Sequence, residues 1–161
     1  MSTFVSAGNA TQPFMRLLEA VRASASELPQ PVIVQYGSGQ NIFAGVCVAQ
    51  AFMNMTDFAA KVAVAELLVI HGGAGSIIHA IRAGKVPVVV PRRPDLGEHI
   101  DGHQIEFAHE LARSGKIVLC ADPAELVAAA RKALCCQQVS GATSRPPRIT
   151  ELVREALLRA D

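Results

Sequence analysis

The stretch over residues 67–104 constrains the fold of this chain more than any other part of the sequence. It begins with an apolar run at residues 67–70, followed by the glycine-rich turn HGGAGS at residues 71–76 and a helix-like run that ends at Gly84. A second apolar run, residues 86–90, leads into a loop with two arginines and the segment GEHIDGHQ. An apolar strand, a glycine turn and a helix in this order are typical of a parallel sheet covered by helices.

The composition favours the same class. Half of the 161 residues are hydrophobic but only 4% are aromatic, so we expect a core of Ala, Val, Leu and Ile. The length fits one domain. A net charge of +1 argues against nucleic acid as the main partner, because a strongly basic face is absent. No apolar run is long enough to span a bilayer and no basic segment opens a signal peptide, so we expect a cytoplasmic protein.

Strands and helices alternate along the chain. The sequence predicts strands at residues 3–6, 32–36, 46–52, 67–70, 86–90 and 117–120, and helices at residues 14–25, 56–65, 76–83, 100–114 and 123–134. Thr56 and Asp57 are the predicted cap of the second helix. The alternation predicts an α/β fold: a single Rossmann-like doubly wound domain with a mainly parallel sheet.

The C-terminal part of the sequence has a different character. Residues 137–147 are polar and contain prolines, which predicts a linker or a loose loop after a domain at residues 1–136. Residues 149–160 then have their apolar side chains along one stripe of an amphipathic helix. The pattern leaves open whether this helix docks a partner or folds back on its own domain.

The glycine turn predicts an anion-binding site. Backbone N–H groups in such a turn can approach a phosphate closely, and the N-terminus of the following helix adds about half a positive charge. In a doubly wound sheet the ligand lies at the carboxyl ends of the strands, where the loops after residues 6, 36, 70 and 90 all open. The expected ligand is therefore a phosphate or diphosphate.

Metal and disulfide sites are not predicted. His99 and His103 are four residues apart, but Gly102 between them weakens a helix, and the order of Glu98 and the histidines differs from that of the zinc motif HExxH. The four cysteines form no CxxC pair and suggest neither zinc nor a disulfide framework. We therefore expect no metal and no cofactor.

The motifs resemble those of a known family. Over residues 3–134, and most specifically at residues 71–78 and 91–104, the chain resembles the nucleotide-sugar-binding, C-terminal half of GT-B glycosyltransferases related to the peptidoglycan N-acetylglucosaminyltransferase. It is most similar to the free-standing small subunits of two-part enzymes. These include the catalytic subunits of the dolichol-pathway UDP-N-acetylglucosamine transferase and of bacterial exopolysaccharide β-1,4-glucuronosyltransferases.

The resemblance implies a set of site residues. The turn at residues 7–9 matches the first glycine turn, and residues 71–76 match the turn that binds the diphosphate. Phe52 and Met53 match the segment that reads the uracil, with Met55 and Phe58 packed below. The resemblance implies UDP-sugar contacts from Gly8, Asn9, Phe52, Met53, Gly72, Gly73, Ala74, Gly75, Ser76, Arg92, Arg93, His103 and Gln104, and catalytic roles for His71 and Glu98. His71 is alternatively a satisfied histidine at a strand end, while His79 and His109 are interpreted as structural.

The first turn departs from the family pattern. The usual Gly-Thr or Gly-Ser turn followed by Pro-Phe-Asp is replaced by an insertion before Pro13 and by Met15 in the acidic position. No Asp-x-Asp element, which commonly holds Mg²⁺ or Mn²⁺ against a leaving diphosphate, occurs in the sequence. A helix dipole, backbone donors and arginines can stabilise the leaving group instead.

The implied function is the UDP-sugar-binding catalytic subunit of an inverting, metal-independent hexosyltransferase. Its implied partners are a UDP-sugar donor, a membrane-anchored acceptor-binding subunit and a lipid-linked saccharide acceptor, which place it peripherally at the inner face of a membrane in exopolysaccharide or glycan synthesis. Two alternatives stay open: a non-catalytic nucleotide-binding or assembly module, and an NAD-dependent oxidoreductase. The oxidoreductase is less favoured because the GxGxxG turn is absent and no acidic residue ends the strand at residues 86–90.

Overall fold

The computed structural model describes residues 2–141. The predicted C-terminal helix over residues 149–160 lies outside the described residues, as does most of the predicted linker. The described part is an α/β domain with one parallel sheet, which confirms the predicted fold class.

The sheet contains six strands within the described residues, and every pair of neighbours is parallel. The strands are β1 (Thr3–Ser6), β2 (Val32–Gln35), β3 (Val48–Gln50), β4 (Leu67–His71), β5 (Val88–Val90) and β6 (Val118–Leu119). Their order is β3-β2-β1-β4-β5-β6. The order along the chain reverses between β1 and β4, which is the switch point where doubly wound sheets open a crevice for a ligand.

Helices cover both faces of the sheet. They are α1 (Met15–Ser24), α2 (Met55–Val64), α3 (Ala74–Arg82), α4 (His103–Arg113) and α5 (Leu126–Gly141). Side chains of α1 and α5 pack with Val5, Val69 and Val88 in one core, while α2, α3 and α4 pack with Phe4 and Leu68 in the other. Neighbouring strand residues enter opposite cores because side chains alternate across a strand, so a strand buried on both faces is apolar throughout.

Several element boundaries differ from the sequence-based predictions, and three helix ends among them have an identifiable physical reason. Helix α2 is capped by Asn54, whose side-chain oxygen accepts from the backbone N–H of Asp57 at 2.8 Å, so the predicted cap at Thr56 and Asp57 is wrong. Helix α4 begins at His103, because Gly102 takes the capping position. Helix α5 continues through the first part of the predicted linker to Gly141, and the side chain of Gln137 there accepts from the backbone N–H of Val86 and donates to the carbonyl of Glu66.

Candidate functional site

A cleft of about 300 Å³ lies at the carboxyl edge of the sheet, at the switch point between β1 and β4. The loops that follow these two strands form opposite walls, since Ser6 and Ile70 are register partners at the strand ends. Seven predicted site residues line the cleft: Gly8, Asn9, Met53, His71, Gly73, Gly75 and Ser76. The cleft is also lined by Ser6, Gln35, Met55, Phe58 and His79.

The imidazole of His71 lies between the two glycine turns. A Cβ atom added to Gly8 would lie 2.6 Å from Nε2 of His71, and one added to Gly73 would overlap the same ring nitrogen. Gly8 also has a φ of +82°, a conformation that side chains other than glycine rarely adopt. Both positions therefore need glycine, and the ring of His71 sets the spacing between the two turns.

The environment of His71 favours its neutral form. Burial, together with a smaller effect of the positive charge of Arg92, lowers the pKa of His71 to about 4. Nδ1 is buried without a hydrogen-bond partner within residues 2–141. At neutral pH the imidazole therefore acts in the cleft as an uncharged group.

The N-terminus of α3 opens into the cleft. Gly73 occupies the capping position, and no side chain caps the helix. The first N–H groups of a helix have no acceptor within the helix, and here two of them belong to Gly75 and Ser76, which line the cleft. A Cβ added to Gly75 would have no neighbour within 4 Å. The site thus combines free backbone donors, a helix dipole and open space.

A hydrogen-bonded polar network connects the ends of β1 and β2 to the loop after β1, which forms one wall of the cleft. The backbone N–H of Gly8 donates to Oγ of Ser6, Ser6 donates to Oε1 of Gln35, and Nε2 of Gln35 donates to Oδ1 of Asn9. Ser6 and Gln35 are almost fully buried, whereas Asn9 is exposed. Ser6 and Gln35 were not among the predicted site residues. Each is a polar residue at the end of an apolar strand, and that pattern could have indicated a position at the ligand-binding edge of the sheet.

Arg92 lies beneath the first loop instead of facing the cleft. Only 1% of its surface is exposed, and its guanidinium donates to the backbone carbonyls of Ala7, Gln12 and Glu98 at 2.7–2.8 Å. Burial lowers its pKa, although the carboxylate of Glu98 opposes this effect. Arg92 was predicted to contact a phosphate. In the structure its guanidinium joins the loop after β1 to the loop after β5 through these hydrogen bonds.

Glu98 and Arg93 lie outside the cleft lining. The carboxylate of Glu98 is bound by the guanidinium of Arg16 and accepts from the backbone N–H of Arg93, so it holds the loop over residues 91–98. The exposed side chain of Arg93 pairs with Asp95. The catalytic role of Glu98 and the ligand role of Arg93 stay predictions, and neither side chain lines the cleft.

The remaining predicted residues lie around the rim. Gln104 packs behind Gly72, where an added Cβ would lie 2.9 Å from its Cβ, and its Oε1 accepts from the backbone N–H of Arg92. His103 is exposed at the first position of α4. Phe52 is about half exposed and, like Ala74, does not line the cleft.

The other end of the cleft is apolar. Met53 and Met55 line it beside Phe58, whose ring lies edge-on to that of His79 at a centroid distance of 6.0 Å. His79, interpreted from sequence as structural, lies one helical turn after Ser76 on α3 and therefore faces the same cleft. The cleft thus combines an anion-accepting end with an end suited to a flat ring.

Metal-ligating side chains are not clustered within residues 2–141. Over this range no three His, Cys, Asp or Glu side chains are grouped so that they would hold a metal ion. No helix in the described part of the chain has the length and apolar character needed to cross a membrane.

The sequence matches a known domain family and a curated relative. Residues 3–145 match the glycosyltransferase family 28 C-terminal domain. Over 124 residues the chain is 36% identical to the UDP-N-acetylglucosamine transferase subunit ALG13 of Yarrowia lipolytica, a match that covers 70% of this chain and 61% of that protein. The chain thus spans about three fifths of the length of this curated relative.

Solved structures with the same fold are glycosyltransferases. SnogD from Streptomyces nogalater has a TM-score of 0.62 at 16% identity, over 98% of this chain and 43% of that chain. The glycotransferase of kitacinnamycin has a TM-score of 0.60 at 20% identity, over 98% of this chain and 41% of that chain. The calicheamicin glycosyltransferase CalG4 has a TM-score of 0.55 at 20% identity, over 99% of this chain and 44% of that chain. The described domain corresponds to one half of such a GT-B fold, and the chain belongs to the glycosyltransferase family 28 C-terminal domain family.

Proposed function

We propose that this chain is the UDP-sugar-binding catalytic subunit of an inverting, metal-independent hexosyltransferase. The observation that carries the proposal is the cleft at the switch point, where the uncapped N-terminus of α3 and the open space at Gly75 face an apolar end. A nucleoside diphosphate has the matching chemistry, namely an anionic diphosphate and a flat base. The relative from Yarrowia lipolytica, a UDP-N-acetylglucosamine transferase subunit, supports a UDP-sugar donor.

The residues have distinct proposed roles. The backbone N–H groups at Gly75 and Ser76 bind the diphosphate together with Asn9, and Met53 packs near the base. Neutral His71 spaces the two turns and offers a ring nitrogen to the ligand. His103 and Gln104 at the start of α4 are proposed to contact the sugar, and Gln104 lies against Gly72 of the glycine turn. These donors stabilise the negative charge that develops on the leaving diphosphate.

The acceptor side of the reaction is proposed to come from another polypeptide. The described domain corresponds to one half of a GT-B fold, and the relative from Yarrowia lipolytica is by name a transferase subunit, which supports a second subunit. We propose a membrane-anchored subunit that binds a lipid-linked saccharide acceptor in exopolysaccharide or glycan synthesis and supplies the general base. The described chain then associates with the membrane through that subunit.

Calorimetry with UDP, UDP-N-acetylglucosamine, UDP-glucuronate, uridine and NAD tests the donor site. We expect UDP and at least one UDP-sugar to bind, uridine to bind more weakly, and NAD not to bind. Binding of NAD without UDP would overturn the proposal.

Turnover tests the division of labour. Sugar transfer to a lipid-linked acceptor should require a membrane subunit co-expressed with this chain. Transfer at full rate by the purified chain alone would contradict the two-subunit proposal. UDP binding without turnover in any complex would favour the non-catalytic module.

A further inference from the structure

The polar chain from Gly8 to Asn9 has a direction that can be assigned. A backbone N–H can only donate, so Oγ of Ser6 accepts from Gly8 at 3.3 Å, and the single Ser6 proton remains for Gln35. Oε1 of Gln35 accepts that proton at 3.1 Å, which directs Nε2 of Gln35 to Oδ1 of Asn9 at 2.8 Å. The direction follows from satisfying the whole network.

The opposite orientation of Gln35 leaves a buried group unsatisfied. If its amide were turned around, Nε2 would face Ser6, and the Ser6 proton would lose its acceptor. Ser6 and Gln35 are 1% and 2% exposed, so water cannot replace that acceptor readily. An unsatisfied buried polar group is unfavourable, because it has lost its hydrogen bond to water without gaining another. The backbone N–H of Gly8 therefore fixes the orientation of the Gln35 amide through the hydroxyl of Ser6, which lies between them.

The hydrogen-bond network ends at the exposed side-chain amide of Asn9. Its oxygen is occupied by Gln35, and its Nδ2 donates to no acceptor within residues 2–141. A side-chain amide in this state offers only donors to a ligand, and donors attract an anion. Asn9 lines the same cleft as Gly75 and Ser76 at the start of α3.

We propose that Gln35 is a positioning residue that holds the amide of Asn9 with its N–H groups toward the cleft, where they bind an oxygen of a diphosphate. This inference rests on the proposed function and deepens it. The diphosphate is held between Asn9 on the β1 side and the first N–H groups of α3 on the β4 side. Without Gln35, Asn9 is free to present its oxygen, which repels the anion.

A double-mutant cycle measured by calorimetry with UDP tests the proposal. Gln35→Met keeps length and removes the hydrogen bonds, and it should weaken UDP binding roughly fivefold. In an Asn9→Ala background the same change should weaken binding less than about twofold, because the group that Gln35 positions is gone. Uridine, which has no phosphate, should bind the wild type and all variants equally. Gln40→Met, an exposed glutamine in the following loop, is the matched control and should leave UDP affinity unchanged.

Equal losses from Gln35→Met in both backgrounds, or an equal loss for uridine, would overturn the proposal. Ser6→Ala is a second variant that keeps the test available if Gln35→Met does not fold. It frees the Gln35 amide to turn around, so it should also weaken UDP but not uridine, and only when Asn9 is present.

Two further measurements separate this proposal from the proposed function. In the ligand-free protein, the side-chain amide protons of Gln35 should exchange slowly with D₂O and exchange faster in Asn9→Ala; fast exchange in the wild type would overturn the assigned network. Pyrophosphate is the second anionic probe. Binding of pyrophosphate that depends on Asn9 and Gln35, without binding of UDP, would leave the positioning role standing and remove the UDP-sugar function. If neither anion binds, both proposals are wrong.

Discussion

The carboxylate of Glu98 and the guanidinium of Arg16 form a two-contact ion pair, with Nε to Oε1 and Nη2 to Oε2 both at 2.8 Å. The pair joins α1 to the loop after β5 across 82 residues of sequence, and Nη2 of Arg16 also donates to the carbonyl of Pro91. Such forked pairing is more directional than contact between point charges. Together with Arg92, it joins the loop after β5 to α1 and to the loop after β1, which lines the cleft.

The first prediction concerns this pair. Because Glu98 is nearly buried, Glu98→Ala leaves Arg16 without its charge partner and should lower the free energy of unfolding by roughly 3 kcal/mol. Glu19→Ala, at an exposed position of α1, is the control and should change it by less than about 0.5 kcal/mol. Urea denaturation followed by circular dichroism measures both. If the two variants were equally stable, the structural role of Glu98 would be refuted.

The second prediction concerns Arg92. Arg92→Met removes the donors to three backbone carbonyls. It also removes the positive charge of the guanidinium, whose carbon lies 4.7 Å from the centroid of the Phe14 ring. Unsatisfied buried acceptors cost about 1–3 kcal/mol each, so a total loss of roughly 3 kcal/mol or more is expected. Arg22→Met, at an exposed arginine in the last turn of α1, should have little effect. A thermal shift for Arg92→Met no larger than that of the control would contradict the role of Arg92 as the link between the loops.

The third prediction concerns open space at the start of α3. Gly75→Val should fold normally, because its Cβ meets no atom within 4 Å, yet it should abolish UDP binding by filling the space proposed for the diphosphate. Gly102→Val is a matched control, since this glycine also has open space around it and precedes a helix. Circular dichroism establishes folding and calorimetry measures UDP affinity. Wild-type affinity in folded Gly75→Val would remove the central argument for the phosphate site.

The fourth prediction concerns the pH dependence of stability. The pKa of His71 is about 4 in the folded protein and near 6.5 in an unfolded chain. Between these values the unfolded state binds a proton that the folded state does not, so the stability from neutral His71 is complete above about pH 6.5 and declines as the pH falls toward 4. The decline is at most about 3 kcal/mol, at 1.36 kcal/mol per pH unit.

His71→Gln isolates this contribution, since it removes the titrating group. The free energy of unfolding, measured by denaturant titration from pH 7 to pH 4, should fall more steeply for the wild type than for the variant. Parallel curves would mean that the pKa of His71 is not lowered in the folded protein.

The sequence by itself determined the fold class and the position of the glycine turn that we propose binds a phosphate. Continuous apolar strands such as residues 67–70, separated by helical patterns and glycine turns, permit only a sheet buried on both faces. Gly73 and Gly75 were identified because a strand, a glycine turn and a helix form an anion site by backbone geometry alone. Local sequence carries that information, since backbone N–H groups and the helix dipole need no distant partner.

The tertiary structure alone decided which polar side chains face the cleft. Arg92 and Glu98 belong to a ligand-like motif, yet both are turned into the protein because carbonyls of Ala7 and Gln12 and the guanidinium of Arg16 meet them there. Gln35 was overlooked in β2, and it reaches the site only because β2 pairs with β1 in a register that places Ser6 beside it. Contacts between residues about 30 to 100 positions apart depend on strand order and register, which a one-dimensional pattern does not contain.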